Sequence, residues 1–216
     1  MRLSLLAFFL TACTADDPVD TDLGTDVGSD TEVDTDSDTD NDSDSEADTE
    51  APGFRLWSPD FVSSAGDPNA AECDFILPPE FSCRGSNPEL AWEGAPDDTT
   101  HFILVFDDPS TGNFPHWAMY DIPGDLTGLG AAISGDGITN TPPGDAVELI
   151  NGFDWEGYLG SCPGRPSQYR WRLFAMDGPL DAAPTGTVRQ QFTSLGDTGE
   201  GDALAVATLC HLFTPE

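Results

Sequence analysis

The sequence predicts a mostly β domain with a few helices, on three observations. His101-Phe102-Ile103-Leu104-Val105-Phe106 is an unbroken apolar run of strand length, the pattern of a buried strand. His116 to Ile122 and Tyr169 to Met176 are rich in aromatic residues and strand-like. Glycine and proline, 22 and 18 in the chain, punctuate the sequence and argue against a helix bundle.

The chain begins with the pattern of a secretion signal. Arg2 is a short positive region and Leu3 to Leu10 an apolar one, far short of the roughly 20 residues a spanning helix needs. Leu10-Thr11-Ala12-Cys13 looks like a bacterial lipobox. That motif implies a diacylglyceryl group on the Cys13 sulfur, cleavage before Cys13 and acylation of the new amine, so the expected partner is a membrane and the expected location the bacterial cell envelope, at the outer membrane or cell surface. An ordinary cleaved signal with a chance cysteine is the simpler alternative.

Residues 14–53 hold thirteen Asp and three Glu with no base. Almost nothing there is apolar, so ordering the segment would not repay its entropy cost, and it reads as a disordered, solvated spacer. Asp at alternate positions invites a calcium loop, but Thr31 to Glu50 contains no glycine for the sharp turn such a loop requires.

Residues 54–216 are long enough for one hydrophobic core. The whole chain carries 40 acidic and 7 basic side chains, a formal charge of -33, which excludes a nucleic-acid binder working through phosphate contacts. All the bases are arginines, so lysine-amine chemistry is excluded too. In Tyr169-Arg170-Trp171-Arg172-Leu173 the arginines share one face of a strand and the other three residues the opposite face. Asp202 to Leu209 reads as the clearest helix, with Asp202 as N-cap and Ala205, Leu209 and Leu212 on one stripe.

Six segments of this domain, in order, resemble the phosphatidylethanolamine-binding protein family in its bacterial, Raf kinase inhibitor-like branch. They are Ser58-Pro59-Asp60-Phe61; Phe81-Ser82-Cys83-Arg84-Gly85 with Pro88 to Trp92; Phe102 to Pro109 with His116-Trp117 and Asp121-Ile122-Pro123; Asn151-Gly152-Phe153 with Gly157 to Pro163; Tyr169 to Asp177; and Ala203 to Leu209. The resemblance implies a large antiparallel sheet packed by a smaller sheet, with a few peripheral helices. It also implies a small surface pocket for an anion such as a phosphate or a phospholipid head group. Carried over residue by residue, the pocket is Asp108, Pro109, His116, Gly160, Ser161, Cys162 and Tyr169, with Pro163 beside them.

Within that expectation, His116 donates to the anion, Asp108 accepts from His116 and raises its pKa, the Gly160-Ser161 turn offers backbone amides, and Tyr169 offers a hydroxyl. The chain departs from the family at Ser110, where the second aspartate of Asp-Pro-Asp stands, and at Ser167-Gln168, which replaces His-Arg before the tyrosine. Arg84 and Arg165 are candidates for restoring positive charge at the rim, against the simpler reading of solvated surface arginines.

Cys73, Cys83, Cys162 and Cys210 allow three complete pairings. In the family a cysteine at the Cys83 position tends to accompany one at the Cys162 position, which implies Cys83–Cys162 and leaves Cys73–Cys210. Cys73–Cys83 with Cys162–Cys210, the third pairing, and four reduced thiols stay open at this point.

No metal-ligand spacing links His101, His116 and His211, and no nucleophile-elbow motif is present. Asp107, Asp108 and His116 suggest metal or acid–base work, and Cys162 with His116 a nucleophile pair, but the even number of cysteines after Cys13 favours disulfides over a free thiol. The expectation is a non-catalytic protein without cofactor or metal, binding a small anion at the membrane. The alternative is a cell-surface module that engages or inhibits another protein through a vestigial pocket.

Overall fold

The computed structural model describes residues 53–63, 73 and 75–213. The signal with Cys13 and the acidic linker up to residue 52 lie outside the described residues.

Seven strands form the large sheet: β2 (Val62–Ser63), β3 (Phe75–Ile76), β5 (His101–Asp108), β6 (Phe114–Pro123), β8 (Val147–Glu148), β9 (Ser167–Met176) and β10 (Ala205–Phe213). Their order is β2-β3-β10-β9-β5-β6-β8, antiparallel except for the β3–β10 pair, which is parallel. A three-stranded sheet of β1 (Arg55–Trp57), β4 (Leu90–Glu93) and β7 (Gly128–Leu129) packs against one face. One α-helix, α1 (Val188–Asp202), packs against the other. The mostly β class and the two sheets agree with the expectation. The few helices reduce, among the described residues, to α1 and two short 3-10 turns at Pro79–Phe81 and Pro109–Thr111.

The unbroken apolar run of β5 follows from cover on both sides. Phe102, Leu104 and Phe106 join Trp171 and Leu173 of β9 against Leu56, Leu90 and Trp92 of the small sheet. Ile103 and Val105 point the other way, with Phe174, to Phe192 and Leu195 of α1. A strand covered on both faces has no solvent side on which to place polar residues.

The helix expected over Asp202 to Leu209 is wrong. Ala205–Phe213 is strand β10, paired with β9 over its whole length, from Ala205 opposite Ala175 to Phe213 opposite Ser167. Asp202 ends α1 rather than capping a helix. Ala207 and Leu209 are buried while Val206 and Leu212 are exposed, the period of a strand; Leu212, expected on the helix stripe, is 42% exposed.

α1 starts with a capping box. Thr187 accepts from the Gln190 amide while the Gln190 side chain accepts from the Thr187 amide. Two of its glycines let it lie close on β9. A Cβ on Gly199 would fall 2.4 Å from the Phe174 ring, and one on Gly196 would fall 3.0 Å from the Arg172 guanidinium.

Arg170 and Arg172 do share the helix-side face of β9, and Asp107 lies between them. Asp107 accepts from Arg170 at 2.9 and 3.1 Å and from Arg172 at 2.8 Å, and Arg172 also reaches Glu200 of α1 at 2.5 Å. Asp107 is thus committed to a buried ion-pair network on the far side of the sheet from its neighbour Asp108.

Two disulfides close the domain. Cys83–Cys162 has a Cα separation of 4.5 Å and Cys73–Cys210 one of 4.3 Å. These are the pairings implied by the family resemblance; the local staples and the reduced thiols are excluded. Cys162 therefore has no thiol to offer a nucleophilic mechanism.

Candidate functional site

Asp108 ends β5, His116 lies near the start of β6, Tyr169 near the start of β9, and Gly160, Ser161 and Cys162 form the loop leading into β9. Antiparallel pairing of β5 with both β6 and β9 brings the first three together at one end of the sheet. Pro109 opens the 3-10 turn after β5 and is exposed. Packing fixes the rings: His116 lies 5.0 Å from Phe106, 5.2 Å from Phe114 and 5.1 Å from Tyr169, centroid to centroid.

The loop is held by the chain across from it. Cys83 N–H donates to Ser161 O and Gly160 N–H to Cys83 O, both at 3.0 Å, and the Cys83–Cys162 disulfide locks the pair. A Cβ on Gly160 would fall 2.5 Å from Phe81 O. The glycine serves close packing of two backbones, and its amide is spent on Cys83. The Gly160 amide expected to face an anion is therefore not available.

His116 and Asp108 are not paired as expected. His116 Nδ1 lies 2.9 Å from Leu159 O, and since a carbonyl only accepts, Nδ1 carries the proton. Asp108 Oδ1 accepts from the Ser110 amide at 2.8 Å and the Ser110 hydroxyl at 2.5 Å, so Ser110 closes the turn where the family has an aspartate. Burial lowers the His116 pKa to about 4, outweighing the Leu159 carbonyl and the nearby Asp108 and Asp107. At neutral pH the ring is uncharged, with a bare Nε2. The expectation of a charged, anion-donating imidazole fails because desolvation wins over the carboxylates.

The sequence reading missed His211. β10 places it opposite Tyr169, where its ring stacks on the tyrosine with centroids 5.1 Å apart. Trp171 Nε1–H donates to His211 Nδ1 at 3.0 Å, and His211 Nε2 lies 2.9 Å from Ser161 Oγ. Burial, with the nearby His116 adding to it, lowers the His211 pKa to about 3, so this ring is neutral too. Only the correct reading of Ala205–Phe213 as a strand, in register with β9, would have revealed it.

Arg84 is exposed and turned away: it pairs with Asp136 at 2.9 Å and lies over the Trp155 ring at 5.4 Å. Arg165 is exposed in the loop before β9. The simpler reading of both as surface arginines holds.

The profile of a family described as phosphatidylethanolamine-binding protein matches residues 68–213. The chain belongs to this family. A UPF0098 protein of Methanothermobacter thermautotrophicus is 32% identical over 144 residues, covering 63% of this chain and 89% of that protein. The UPF0098 protein YbcL of Escherichia coli is 32% identical over 119 residues, covering 50% of this chain and 64% of that one. Among solved structures, Escherichia coli YbcL, described as a new member of the mammalian PEBP family, aligns with a TM-score of 0.60 at 22% identity, over 76% of this chain and 100% of YbcL. A Chlamydia trachomatis protein described as a putative PEBP homolog aligns with a TM-score of 0.56 at 22% identity, over 76% of this chain and 99% of that one. These two show the fold. Within the phosphatidylethanolamine-binding protein fold, this chain keeps Asp108, His116 and Tyr169 at one end of the sheet, and its second imidazole, His211, stands behind Ser161.

Proposed function

We propose that this protein is a non-catalytic binding protein of the bacterial envelope, anchored through lipid on Cys13, whose site at His116 takes a small anion, a phosphate or a phospholipid head group. One observation carries the reading: four elements deliver Asp108, His116, Ser161 and Tyr169 to one place, where the tyrosine and serine hydroxyls stand beside a neutral imidazole whose proton is held by Leu159. Cys162 is tied in a disulfide, which supports binding over thiol chemistry.

Titration of the full chain with inorganic phosphate and with O-phosphoethanolamine, followed through the backbone amide resonances around Asp108, Ser161 and Tyr169, tests this. Saturable shifts that weaken at least about tenfold in His116→Ala are expected, the loss of one good hydrogen bond to an ionic group. No shift with either compound would remove the reading. The anchor is tested separately, since Cys13→Ser should move the protein from the membrane fraction to the soluble one.

Engagement of another protein is the second reading, and a specific feature favours it. Phe153 is 61% exposed at the tip of a turn held by Asn151, which accepts from the Phe153 amide at 2.9 Å and, through its carbonyl, from the Asp154 amide at 3.0 Å. An apolar ring held in solvent beside Phe114 and Trp155 suits a protein contact.

A further inference from the structure

On the far side of the sheet from Asp108, Asp107 of β5 and Arg170 and Arg172 of β9 form the floor of a cavity of about 270 Å3, and α1 forms its wall. The helix period explains the wall. Gly196, Asp197 and Glu200 share one face, beside the Phe192 ring. Phe192 and Leu195 make the apolar contact between helix and sheet, but along this face the helix turns carboxylates toward arginines. Gly196 keeps the space open, since a Cβ there would fall 3.0 Å from Arg172 Nη2. The volume lies just below the roughly 300 Å3 at which pockets for drug-sized ligands begin, so the ligand that fits is small.

The floor has donors to spare. Arg172 keeps only 10% of its side chain exposed; its Nη2 donates to Asp107 and its Nη1 to Glu200, while its buried Nε–H has no acceptor among the described residues. Asp107 takes Nε and Nη2 of Arg170, which leaves Arg170 Nη1, on a side chain 30% exposed, for an incoming group. Two guanidiniums over one buried carboxylate leave the floor positive. The carboxylate that meets it from the helix is Glu200, whose side chain is 59% exposed. Ion pairs with so exposed a partner hold weakly, so another carboxylate can take that place on Arg172. The rim has the opposite sign: Asp197, one turn before Glu200, is exposed and has no hydrogen-bond or ion-pair partner among the described residues.

These charges suit a small ligand that carries both signs. A dianion meets a floor with a surplus of one positive charge, two carboxylates on the wall, and a domain of six arginines against 24 carboxylates over residues 54–216. A metal ion meets guanidiniums, and among the described residues no three His, Cys, Asp or Glu are grouped to hold one. An uncharged ligand leaves Asp197 bare. An α-amino acid answers each group, with its carboxylate on Arg170 and Arg172, its ammonium on Asp197 and its side chain against Phe192.

We propose that the cavity between β9 and α1 binds a free α-amino acid, and that Glu200 is the built-in carboxylate the ligand displaces from Arg172. This site is independent of the anion site at His116.

The test is isothermal titration of the full chain at pH 6.5 and low salt with glycine, L-alanine, L-serine and L-glutamine, followed by the N-acetyl and carboxamide forms of the tightest binder. At least one free amino acid should bind saturably, and its two blocked forms should each bind at least about tenfold more weakly, the loss of one charged hydrogen-bonded pairing. Glu200→Gln removes the competing carboxylate and should tighten the free amino acid about fivefold. Asp197→Asn should weaken the free amino acid about tenfold and leave the N-acetyl form unchanged, whereas a merely structural role would move both alike. If either variant does not fold, the comparison of the three ligand forms on the unaltered chain still decides. Weaker binding in Glu200→Gln, or unchanged binding in Asp197→Asn, puts the ligand elsewhere and overturns the assignment. Equal binding of the free and N-acetyl forms overturns the zwitterion class, and no binding by any of the four amino acids overturns the proposal.

Discussion

Three glycines of α1 make a graded test of how the helix sits on the sheet. Alanine in place of glycine stabilises a helix interior by about 1 kcal/mol through propensity alone. At Gly201 the surroundings are empty within 4 Å of an added Cβ, so Gly201→Ala should gain part of that amount, about 0.5 kcal/mol so near the helix end. At Gly199 the same methyl would fall 2.4 Å from Cγ of Phe174, a fully buried ring locked among Ile103, Val105 and Leu195, so the helix has to lift. Overpacking of that kind costs about 1–3 kcal/mol, which exceeds the propensity gain. Gly196 is intermediate, because the atom at 3.0 Å is the end of the Arg172 side chain. Urea unfolding of the three variants should therefore order them Gly201→Ala, Gly196→Ala, Gly199→Ala from most to least stable. With a slope of about 2 kcal/mol/M, a 2 kcal/mol spread between the extremes separates their midpoints by about 1 M at unchanged slope. A Gly199→Ala protein with a midpoint equal to or above that of Gly201→Ala would refute the close seating of α1 on Phe174.

Other expectations follow from the same structure. Removing Cys83–Cys162 or Cys73–Cys210 by paired serine substitution opens loops of 79 and 137 residues, and each should cost about 4–5 kcal/mol in the chain-entropy account, read as a drop in urea midpoint; a cost near zero for either would show that the loop is held without its bridge. Asp107→Ala removes the carboxylate that Arg170 and Arg172 share, leaving Arg172 with Glu200 alone, and should cost about 3 kcal/mol by the same measurement, with an unchanged midpoint contradicting the network. His116 is protonated near pH 4 when folded but near its ordinary 6.5 when unfolded, so the unfolded state binds more protons between these values and stability falls as pH drops through that window, by on the order of 3 kcal/mol. His116→Gln should remove about one proton from the slope of stability against pH, and an identical slope in the variant would show that His116 is not buried neutral.

The elements legible in the sequence were those whose residues report on both neighbours at once. The β5 run could be read because every position is covered, and β9 because Arg170 and Arg172 alternate with Tyr169, Trp171 and Leu173. β10 misled because Ala205 and Leu209 are four apart, a spacing that keeps one face in a strand as well as in a helix; only Leu212, seven from Ala205, separates the two, and it points outward. α1 was hidden by its own composition, polar and glycine-rich, with a capping box as its one local signal; it exists because Phe192 and Leu195 find a sheet to cover. At the site, the residue types were visible but their roles were not. The proton on His116 is set by Leu159, 43 positions away, and the direction of the Ser161 hydroxyl by His211, 50 positions away. Such long-range pairings leave no trace in local pattern.

The place of β10 has a consequence in time. It is the furthest along the chain of the strands described, yet it lies inside the sheet, between β3 and β9, and it brings Cys210 and His211 with it. Until residues 205–213 are available, β9 has an open edge, β3 has no neighbour but the two-residue β2, and Ser161 lacks the ring that orients it. Partial chains are therefore unable to close either the sheet or the site, and the domain stays unfinished until synthesis has passed residue 213. A fold that waits in this way keeps its chain extended and threadable until residues 205–213 arrive to fill the gap between β3 and β9.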